Sequence, residues 1–476
     1  MDHLLRNSET RGLGRLRPSL LPPFASPSDS AVRIRTLYTS KIGPFSASMR
    51  RYIPPIPRSE GMRRMLAMTM MLLMTTAALA GCAGSDITQD DVDTARAEGE
   101  AAGIASATPV STLDTIIDRG TMKCGVKIDQ WGMGWLNPDG SREGLDIAYC
   151  RAVAAAIGLN PDEDIEYVLA TGSTRFDLLS GGDIDVLIRT TTWTTGRDAG
   201  LTADFAGINF FDGQGILIRG DMVPDDGDYS PQDLDGLSVC VGTGTTTEGN
   251  LADWALVNGI SITSVNVATG TEGAQRFVAG ECSAFTGDMS AMVARKYVLE
   301  NDIVDENGDV TSAAQCGIEA VSTDEGPGDC DGLWMAPETL SKEPLAAAVR
   351  DMDTEWKDVV QWVWWGMVTA EEMGIHSGNY MDFLADENPA VQRLLGTHAD
   401  SPFGLGTDDN PLPADWMQKV LAASGNYGEA WDDAFCDGTY DGHSGSDAMT
   451  GCKLSRSGTQ NALVSEGGLQ YAAPIR

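Results

Sequence analysis

Residues 237–299 read LSVCVGTGTTTEGNLADWALVNGISITSVNVATGTEGAQRFVAGECSAFTGDMSAMVARKYVL, and their pattern decides the fold. Short apolar runs alternate with longer segments in which apolar residues recur at helical spacing. The stretch therefore predicts strands at 237–241, 264–267 and 283–286, each followed by a helix, at 247–257, 274–278 and 290–299. Such an alternation is typical of a parallel sheet with helices on both faces.

A second series of the same kind precedes this stretch. It predicts strands at 122–128, 165–169, 184–188 and 210–218, with helices at 112–117, 145–157 and 175–179. Residues 345–369 predict one more strand and a helix whose clustered Trp residues indicate core or interface rather than a ligand platform. Two series indicate two α/β lobes, and ligands of such sheets bind beyond the carboxyl ends of the strands.

The net charge limits the possible partners. The chain has 476 residues with 33 basic and 69 acidic side chains, a formal net charge of −36. A chain this acidic repels phosphate, which argues against nucleic acid as a partner. With 42% hydrophobic residues and 11 Trp it is no disordered acidic tail. Its four histidines leave little room for a histidine-rich metal site, and neither a metal nor a cofactor is predicted.

A secretory signal is predicted at residues 62–81. Met62-Arg63-Arg64 precedes an uncharged, mostly apolar run that ends in Leu79-Ala80-Gly81, directly before Cys82. A basic start, a short apolar segment and small residues before the cleavage point are the parts of a signal peptide. The tetrad ending in Cys82 resembles a bacterial lipobox, in which cleavage leaves the cysteine as a lipidated first residue. An ordinary buried helix would need a polar face, which this run lacks.

The segments on either side of this signal are not predicted to fold. Residues 1–61 hold ten Lys and Arg without periodicity, so either the start codon was assigned too early or the leader is unusually long. Residues 82–111 are small and acidic and predict a flexible tether. Without residues 1–81, the chain carries 21 basic and 65 acidic residues, a net charge of −44.

The cysteine count indicates disulfides. Nine cysteines are present, and a lipidated Cys82 leaves eight, an even number that in an exported chain favours pairing. Residues 301–333 are acidic, Gly-rich and without pattern, which predicts an insertion or a lid. Cys316 and Cys330 could join the two sides of that segment.

The common catalytic motifs are absent from the sequence. No G-x-S-x-G, H-E-x-x-H, C-x-x-C or G-x-x-x-x-G-K-[ST] occurs, and neither Gly132-Met133-Gly134 nor Gly242-Thr243-Gly244 has the third glycine of a dinucleotide loop. Other enzyme classes stay possible, but the frequent ones are excluded.

Three polar clusters follow predicted strands, where a ligand site is expected. The first, at residues 190–197, reads TTTWTTGR; its hydroxyls and single Arg could hold a carboxylate, or could form a surface loop with an ion pair. The second is Gly244–Glu248, in which Thr245 and Glu248 fit a capping box at a helix N-terminus, and such an end attracts anions. The third is Asp288, which could pair with an ammonium group or cap the next helix.

Taken together, the clusters describe a receptor for a zwitterion. In this reading the Arg and the helix N-terminus receive a carboxylate, and Asp288 receives an amine. The side-chain pocket of such a ligand is not readable from the sequence.

The chain resembles the substrate-binding proteins of polar amino-acid ABC importers, especially the general L-amino-acid-binding branch. The resemblance extends from about residue 112 to the C-terminus. The stretches that carry it are Gly144–Val153, Arg189–Thr194, Asn209–Gly215, Gly244–Glu248, Pro337–Leu345, Gly425–Glu429 and Gly467–Arg476.

The resemblance implies a periplasmic-binding-protein type II fold, an α/β architecture of two lobes that close like a flytrap and are joined by two crossing hinge strands. Lobe 1 would comprise residues 112–212 and, with a C-terminal extension, 344–476. Lobe 2 would comprise residues 213–343, including the insertion at 301–333.

The resemblance also implies the ligand contacts. Thr190, Thr192 and Arg197 of lobe 1 would hold the α-carboxylate of an amino acid. Thr245 and Thr246 of lobe 2 would add hydroxyl and backbone contacts, and Asp288 would take the α-ammonium. Trp135 would form an aromatic wall, although the spacing around it departs from the pattern of the family.

Two disulfides are implied by the resemblance, Cys124–Cys150 and Cys240–Cys282. Two further pairs, Cys316–Cys330 and Cys436–Cys452, rest on proximity in the sequence alone, because the family does not usually carry these segments. Each bond would close a loop of roughly 15 to 45 residues and contribute about 3–4 kcal/mol in the chain-entropy model.

The sequence therefore predicts a binding protein and not an enzyme. It would be exported, lipid-anchored outside the cell membrane or in the periplasm, monomeric, and would pass an L-amino acid to the permease subunits of an ABC importer. Two alternatives are an amino-acid-sensing receptor without transport and a dehydratase-type enzyme on the same fold. The enzyme would need a spare acid or base in the cleft, and none is evident.

Overall fold

The strand and helix alternation predicted from residues 237–299 is confirmed in the structure. The computed structural model describes Thr94, Arg96 and residues 110–222, 229–316, 332–401 and 404–476. The predicted leader (1–61), signal peptide (62–81), lipidated Cys82 and nearly all of the tether (82–111) lie outside the described residues, as do residues 317–331 of the insertion.

The elements of the first series run from residue 112 to residue 219. In chain order they are α1 (Thr112–Arg119), β1 (Met122–Val126), β2 (Asp129–Gln130), β3 (Gly134–Leu136), β4 (Arg142–Glu143), α2 (Leu145–Ala156), β5 (Ile165–Leu169), α3 (Arg175–Gly181), β6 (Val186–Leu187), α4 (Thr195–Gly200) and β7 (Ala203–Arg219).

Local signals account for the bounds of the first helix. The hydroxyl of Ser111 accepts a hydrogen bond from the Leu113 amide, so Ser111 is the N-cap of α1. Gly120 ends the helix at φ 70°, a left-handed conformation that glycine adopts without steric cost.

The second series and the return of the chain complete the fold. The elements are β8 (Ser238–Gly242), α5 (Thr246–Asn258), β9 (Thr263–Val267), α6 (Gly270–Val278), β10 (Ala284–Asp288), α7 (Met289–Glu300), β11 (Leu333–Met335), β12 (Lys342–Arg350), α8 (Thr354–Glu372), α9 (Pro389–Leu394), α10 (Trp416–Ser424) and α11 (Tyr427–Phe435).

One sheet extends through both series. Its strand order is β5-β1-β6-β12-β7-β10-β8-β9, with β11 also paired to β7. β1 is parallel to β5 and β6, and β8 is parallel to β9 and β10. The long strand β7 and its antiparallel neighbour β12 lie between these two parallel groups.

β7 changes its partner strand in the middle of its length. Up to Gly213 it pairs with β12, and from Gln214 onward it pairs with β10. A single strand of 17 residues therefore belongs to both halves of the sheet, which makes β7 and β12 the hinge strands.

The core of lobe 1 contains the Trp cluster on α8. Trp356 is fully buried and Trp364 nearly so, whereas Trp362 and Trp365 are partly buried with ring centroids 4.9 Å apart. The buried Tyr427 and Trp431 of α11 pack in the same core. Trp356 and Trp364 are therefore core, Trp365 packs against it, and Trp364 contacts Tyr427 of the C-terminal helix α11.

Three of the four expected disulfides are present, Cys124–Cys150, Cys240–Cys282 and Cys436–Cys452. The first joins β1 to α2, and the second joins β8 to Cys282, which lies two residues before β10. The fourth pair, Cys316–Cys330, lies outside the described residues because Cys330 is not among them. In the part of the chain that the structure describes, no helix has the length and apolar character needed to span a membrane.

Candidate functional site

A cleft lies between the lobes, where the carboxyl ends of the parallel strands of both halves face each other. Its lining follows β1 and β6 in lobe 1 with Lys127 and Arg189, and β8 and β10 in lobe 2 with Gly242 and Asp288. This is the position expected for ligands of doubly wound sheets.

Five of the seven residues expected to bind the ligand line this cleft. They are Thr190, Thr192, Thr245, Thr246 and Asp288. The structure thus brings together the three polar clusters that are far apart in the sequence.

Glu343 on the hinge strand β12 connects two of these threonines. Its carboxylate accepts hydrogen bonds from the hydroxyls of Thr192 in lobe 1 and Thr246 in lobe 2. Asn250 Nδ2 donates to the other oxygen of the same carboxylate over 2.8 Å. Glu343 is only 1% exposed, so a buried anion at the hinge is satisfied by donors of both lobes. This residue was not singled out from the sequence.

The helix N-terminus at Thr245 differs in detail from the expected capping box. Thr245 is the N-cap of α5, but its hydroxyl donates to the carbonyl of Gly242 over 2.7 Å and makes no cap bond. Glu248 accepts from the amide of Gly244 rather than from that of Thr245. The side chain of the N-cap therefore does not occupy the first-turn amides of α5, and these remain suited to an anion.

Asp288 lies at the end of β10 and faces the cleft. It occupies the N-cap position of α7 but makes no side-chain cap bond, so its alternative role as a helix cap is not realised. Burial raises the pKa of Asp288, while the nearby Lys127 opposes that rise.

Asp212 on β7 is a second buried carboxyl close to Asp288. Its Oδ1 accepts from the amides of Gly213 and Ser290, and its Oδ2 has no partner. Burial, together with the neighbouring Asp288, raises the pKa of Asp212 to about 8. Each carboxyl disfavours ionisation of the other, so the pair carries less than two negative charges more readily than two separate acids would.

Two expected ligand residues, Arg197 and Trp135, lie outside the lining of the cleft. Arg197 Nη1 donates to the carbonyl of Thr192 over 2.8 Å, and its guanidinium lies 5.6 Å from the ring of Phe176. Trp135 is 2% exposed on β3. Trp131, four residues earlier, lines the cleft. A direct ligand contact by Arg197 or Trp135 stays a prediction.

Three cations that the sequence did not single out line the lobe 1 side of the cleft, Lys127, Arg175 and Arg189. The Nε atoms of Arg175 and Arg189 are buried without a hydrogen-bond partner, and neither guanidinium forms an ion pair with any residue that the structure describes. Burial lowers the pKa of Lys127 to about 8, with Arg189 contributing in the same direction. Unpaired buried cations are costly, which is the condition expected of groups that await an anionic ligand.

The backbone is strained where the chain enters the cleft after β6. Thr190 adopts φ 41°, and its buried hydroxyl has no partner. A β-branched residue at positive φ costs roughly 1–3 kcal/mol, and such outliers cluster at ligand sites. Close by, burial raises the pKa of Asp146 to about 6, so this acid is also held in an unfavourable environment.

Direct contacts across the cleft show that the lobes are closed. Asp129 Oδ2 in lobe 1 accepts hydrogen bonds from the amides of Gly270 and Thr271 at the start of α6. Arg295 Nη2 donates to the carbonyl of Asp129 over 2.9 Å, and Gln130 Nε2 donates to Ser290 Oγ over 3.3 Å. These bonds join the two lobes directly, without a ligand.

A positional signal could have found the missed cations. Lys127 directly follows β1, Arg189 lies two residues after β6, and Arg175 begins the helix after β5. Each therefore lies in the connection that leaves the carboxyl end of a parallel strand of the same sheet. A charged residue in the connection after a parallel strand is as good a candidate for ligand binding as a hydroxyl cluster in that position.

The arrangement can hold a small ligand that carries charges of both signs. Cations line the lobe 1 wall, and Asp288 supplies a carboxylate on the lobe 2 wall. No cluster of three or more His, Cys, Asp or Glu side chains suited to a metal ion occurs within the described ranges.

More than half of the chain matches the sequence model of a known protein family. Residues 122–381 match the model of the bacterial extracellular solute-binding proteins, family 3. The chain belongs to this family. Family 3 solute-binding proteins of this kind have the type II periplasmic-binding-protein fold, in agreement with the mixed α/β sheet and the crossing strands seen here.

Relatives that align along most of their length are binding proteins. The glutamate/glutamine/aspartate/asparagine-binding protein of Rhodobacter capsulatus is 37% identical over 79% of this chain and 96% of its own length. The general L-amino acid-binding periplasmic protein of Rhizobium johnstonii is 32% identical over 78% of this chain and 95% of its own. This family 3 member is accordingly a solute-binding protein rather than an enzyme.

A solved structure gives the same result. The ABC transporter periplasmic binding protein of Brucella ovis, with glutathione bound, has a TM-score of 0.64 and 33% identity to this chain, and the match covers 77% of this chain and 100% of that one.

Proposed function

We propose that this family 3 protein is an extracytoplasmic receptor that binds an L-amino acid between its lobes and delivers it to the permease of an ABC importer. The observation that carries the proposal is the opposition, across one cleft, of two buried guanidiniums without an ion-pair partner among the described residues and a half-buried carboxylate. Arg175 and Arg189 lie on the lobe 1 wall, and Asp288 lies on the lobe 2 wall. An α-amino acid presents a carboxylate to the first and an ammonium to the second.

The excess of cations favours an acidic side chain on the ligand. One α-carboxylate neutralises one guanidinium, whereas Lys127, Arg175 and Arg189 all line the cleft. A second carboxylate would neutralise a further buried charge, which an amide cannot do. We therefore propose L-glutamate and L-aspartate as the preferred ligands, a narrower set than the name of the Rhodobacter relative includes.

A thermal-shift and calorimetric screen of the twenty L-amino acids tests this proposal. At a ligand concentration one hundred times Kd, linkage adds about 2.7 kcal/mol to the stability of the protein, so the unfolding midpoint should rise by several degrees. L-Glutamate and L-aspartate should give the largest rises, and glutathione is included because the Brucella structure holds it. D-Glutamate and N-acetyl-L-glutamate, which lacks the ammonium, are matched controls. The proposal fails if no amino acid shifts the midpoint or if the acetylated ligand binds as well as glutamate.

We also propose that a lipid on Cys82 anchors the receptor. The support is the Leu79-Ala80-Gly81-Cys82 tetrad after an uncharged apolar run, in a family whose Rhizobium member is periplasmic by name. The predicted tether would let the folded body move along the membrane while it reaches the permease.

Replacing Cys82 by serine should move the protein from the membrane fraction to the soluble extracytoplasmic fraction, because the acyl chains can no longer be attached. Cell fractionation with immunoblotting measures the distribution. Ser85→Ala is the matched control and should stay with the membrane. If Cys82→Ser is retained on the membrane to the same extent as the parent, the anchor is not at this residue.

A further inference from the structure

The C-terminal extension lies beyond the residues that match the family model. That match ends at residue 381, whereas α10, α11 and the segment after them run from residue 416 to the C-terminus. α11 belongs to the core of lobe 1 through the buried Tyr427, Trp431 and Phe435. One part of the extension also reaches the cleft.

Phe435, the last residue of α11, supports the aromatic wall of the cleft. Its ring lies 6.4 Å from the ring of Trp131, edge to face, and Trp131 lines the cleft. The close approach needs a glycine at position 132, because a Cβ there would lie 2.3 Å from the ring of Phe435, and Gly132 has φ 78°. The Gly132-Met133-Gly134 stretch, which departs from the family pattern, is thus shaped to receive the extension.

Trp131 is held on its other side by lobe 2. Its ring centroid lies 4.7 Å from that of Tyr297 on α7. Tyr297 is also covered by Lys453 of the extension, whose Nζ lies 5.6 Å from the centre of the tyrosine ring. Both contacts join lobe 1 to lobe 2, and both involve the same tyrosine.

A disulfide and a hydrogen bond hold the two extension residues as a pair. Cys436 and Cys452 are bonded, and these cysteines directly adjoin Phe435 and Lys453. The amide of Lys453 also donates to the carbonyl of Phe435 over 2.8 Å. Phe435 is fixed in the core of lobe 1, so the disulfide places Lys453 at a defined distance from the cleft.

We infer that residues 435–453 form a clasp that stabilises the closed state. Lys453 contacts the ring of Tyr297 in lobe 2, and Phe435 positions Trp131 against the same ring. These contacts involve none of the charged side chains proposed to bind the ligand, and neither Lys453 nor Tyr297 lines the cleft. Separating the lobes breaks the contacts of Tyr297 with Trp131 and Lys453, so the clasp contributes free energy to the closed state only.

The clasp raises ligand affinity by acting on the closing equilibrium. A ligand that touches both lobes binds the closed state, and any contact made only in that state adds to the apparent affinity. This consequence rests on the proposed function, since it needs a ligand that closes the cleft. Phe435 and Lys453 are positioning residues, because neither is required to touch the ligand.

A double-mutant cycle with Lys453→Met and Tyr297→Leu tests the clasp. A cation over an exposed aromatic ring contributes about 0.5–1 kcal/mol, so Lys453→Met should weaken L-glutamate binding about two- to fivefold, mainly through faster dissociation. In the Tyr297→Leu background the same change should have no effect. Calorimetry gives Kd, and stopped-flow fluorescence gives the dissociation rate.

Lys419→Met is the matched control. Lys419 pairs with Asp415 on α10 and does not line the cleft, so affinity should stay at the value of the parent protein. Circular dichroism of both ligand-free variants should match that of the parent, so that a loss of affinity in Lys453→Met alone does not reflect a loss of fold. Unchanged affinity in Lys453→Met, or an equal loss in the Tyr297→Leu background, overturns the clasp.

Hydrogen exchange separates failure of the clasp from failure of the proposed function. The amides of Gly270 and Thr271 bond to Asp129 across the cleft, so their exchange reports closure whether or not a ligand is known. Lys453→Met should accelerate exchange in the peptide that contains them, and Lys419→Met should not. If the parent binds no amino acid, the proposed function fails, and the exchange rates alone test the clasp. Equal exchange in the parent and in Lys453→Met overturns the clasp.

Discussion

Replacing Asp288 by asparagine is expected to weaken L-amino-acid binding by about a hundredfold or more. Removing one partner of a buried charge pair costs roughly 3–5 kcal/mol, because the other charge, here the ammonium of the ligand, is left desolvated and uncompensated. Asparagine has nearly the same size as aspartate, so the loss can be attributed to charge. Asp288 makes no cap bond to α7, and the helix should be retained.

Isothermal calorimetry on L-glutamate measures this loss, and circular dichroism with the unfolding midpoint verifies the fold. Asp253→Asn, an exposed acid on α5, is the matched control and should bind as the parent protein does. Affinity within threefold of the parent in Asp288→Asn would mean that another group receives the ammonium. Asp212 would then be the first residue to examine, since it is the neighbouring buried carboxyl.

Arg189→Met is expected to abolish measurable binding at micromolar ligand while leaving the ligand-free protein as stable as the parent or more so. A bidentate guanidinium–carboxylate pair in a closed cleft is lost in the variant, which by the same reasoning should cost about a hundredfold or more in Kd. The gain in stability follows because Arg189 is 7% exposed and its Nε has no partner. Removing Arg189 relieves the desolvation cost of a buried cation, which the nearby carboxylates of Asp129, Asp288 and Asp146 offset only in part, since the pKa of Arg189 is still lowered.

Arg197→Met serves as the comparison, because the resemblance to the family assigns the α-carboxylate to Arg197. In the structure Arg197 binds the carbonyl of Thr192, so its loss should lower the unfolding midpoint and weaken binding less than Arg189→Met does. A larger loss of affinity in Arg197→Met than in Arg189→Met, measured by the same calorimetry, would support the assignment from the family. It would also show that Arg197 turns toward the ligand in the bound state.

Most of the two parallel series could be predicted from the sequence because their strands and helices carry periodic apolar patterns. The predicted strand at 165–169 coincides with β5, and the predicted helix at 247–257 differs from α5 by one residue at each end. Among the predicted helices the largest discrepancy is at α6, which begins at Gly270 rather than at residue 274, whereas α4, α9, α10 and α11 were not predicted. Its N-cap Thr269 bonds to the Glu272 amide in a polar stretch, where apolar periodicity gives no signal.

The candidate site could be predicted only in part, for reasons that lie in tertiary structure. The hydroxyl clusters at 190–197 and 244–248 and the acid Asp288 can be recognised in the sequence, because they interrupt apolar patterns at the ends of predicted strands. Arg175 begins a helix and looks like an ordinary surface cation in the sequence, whereas in the fold it is 2% exposed. Glu343 lies in a strand with a Lys and a Pro beside it, and only the crossing of the hinge strands brings Thr192 and Thr246 to it.

The position of β12 determines the order in which the chain can fold during export. β12 lies between β6 and β7, so the sheet of lobe 1 lacks a central strand until residue 350 has emerged. The strands β8, β9 and β10 of lobe 2 lie between residues 238 and 288 and can pair with β7 about sixty residues earlier. Because non-local pairing is slow and exposes apolar edges, the incomplete lobe 1 is the species at risk of aggregation. The N-terminal part of lobe 1, residues 112–212, therefore stays without its central strand for longer than any strand of lobe 2.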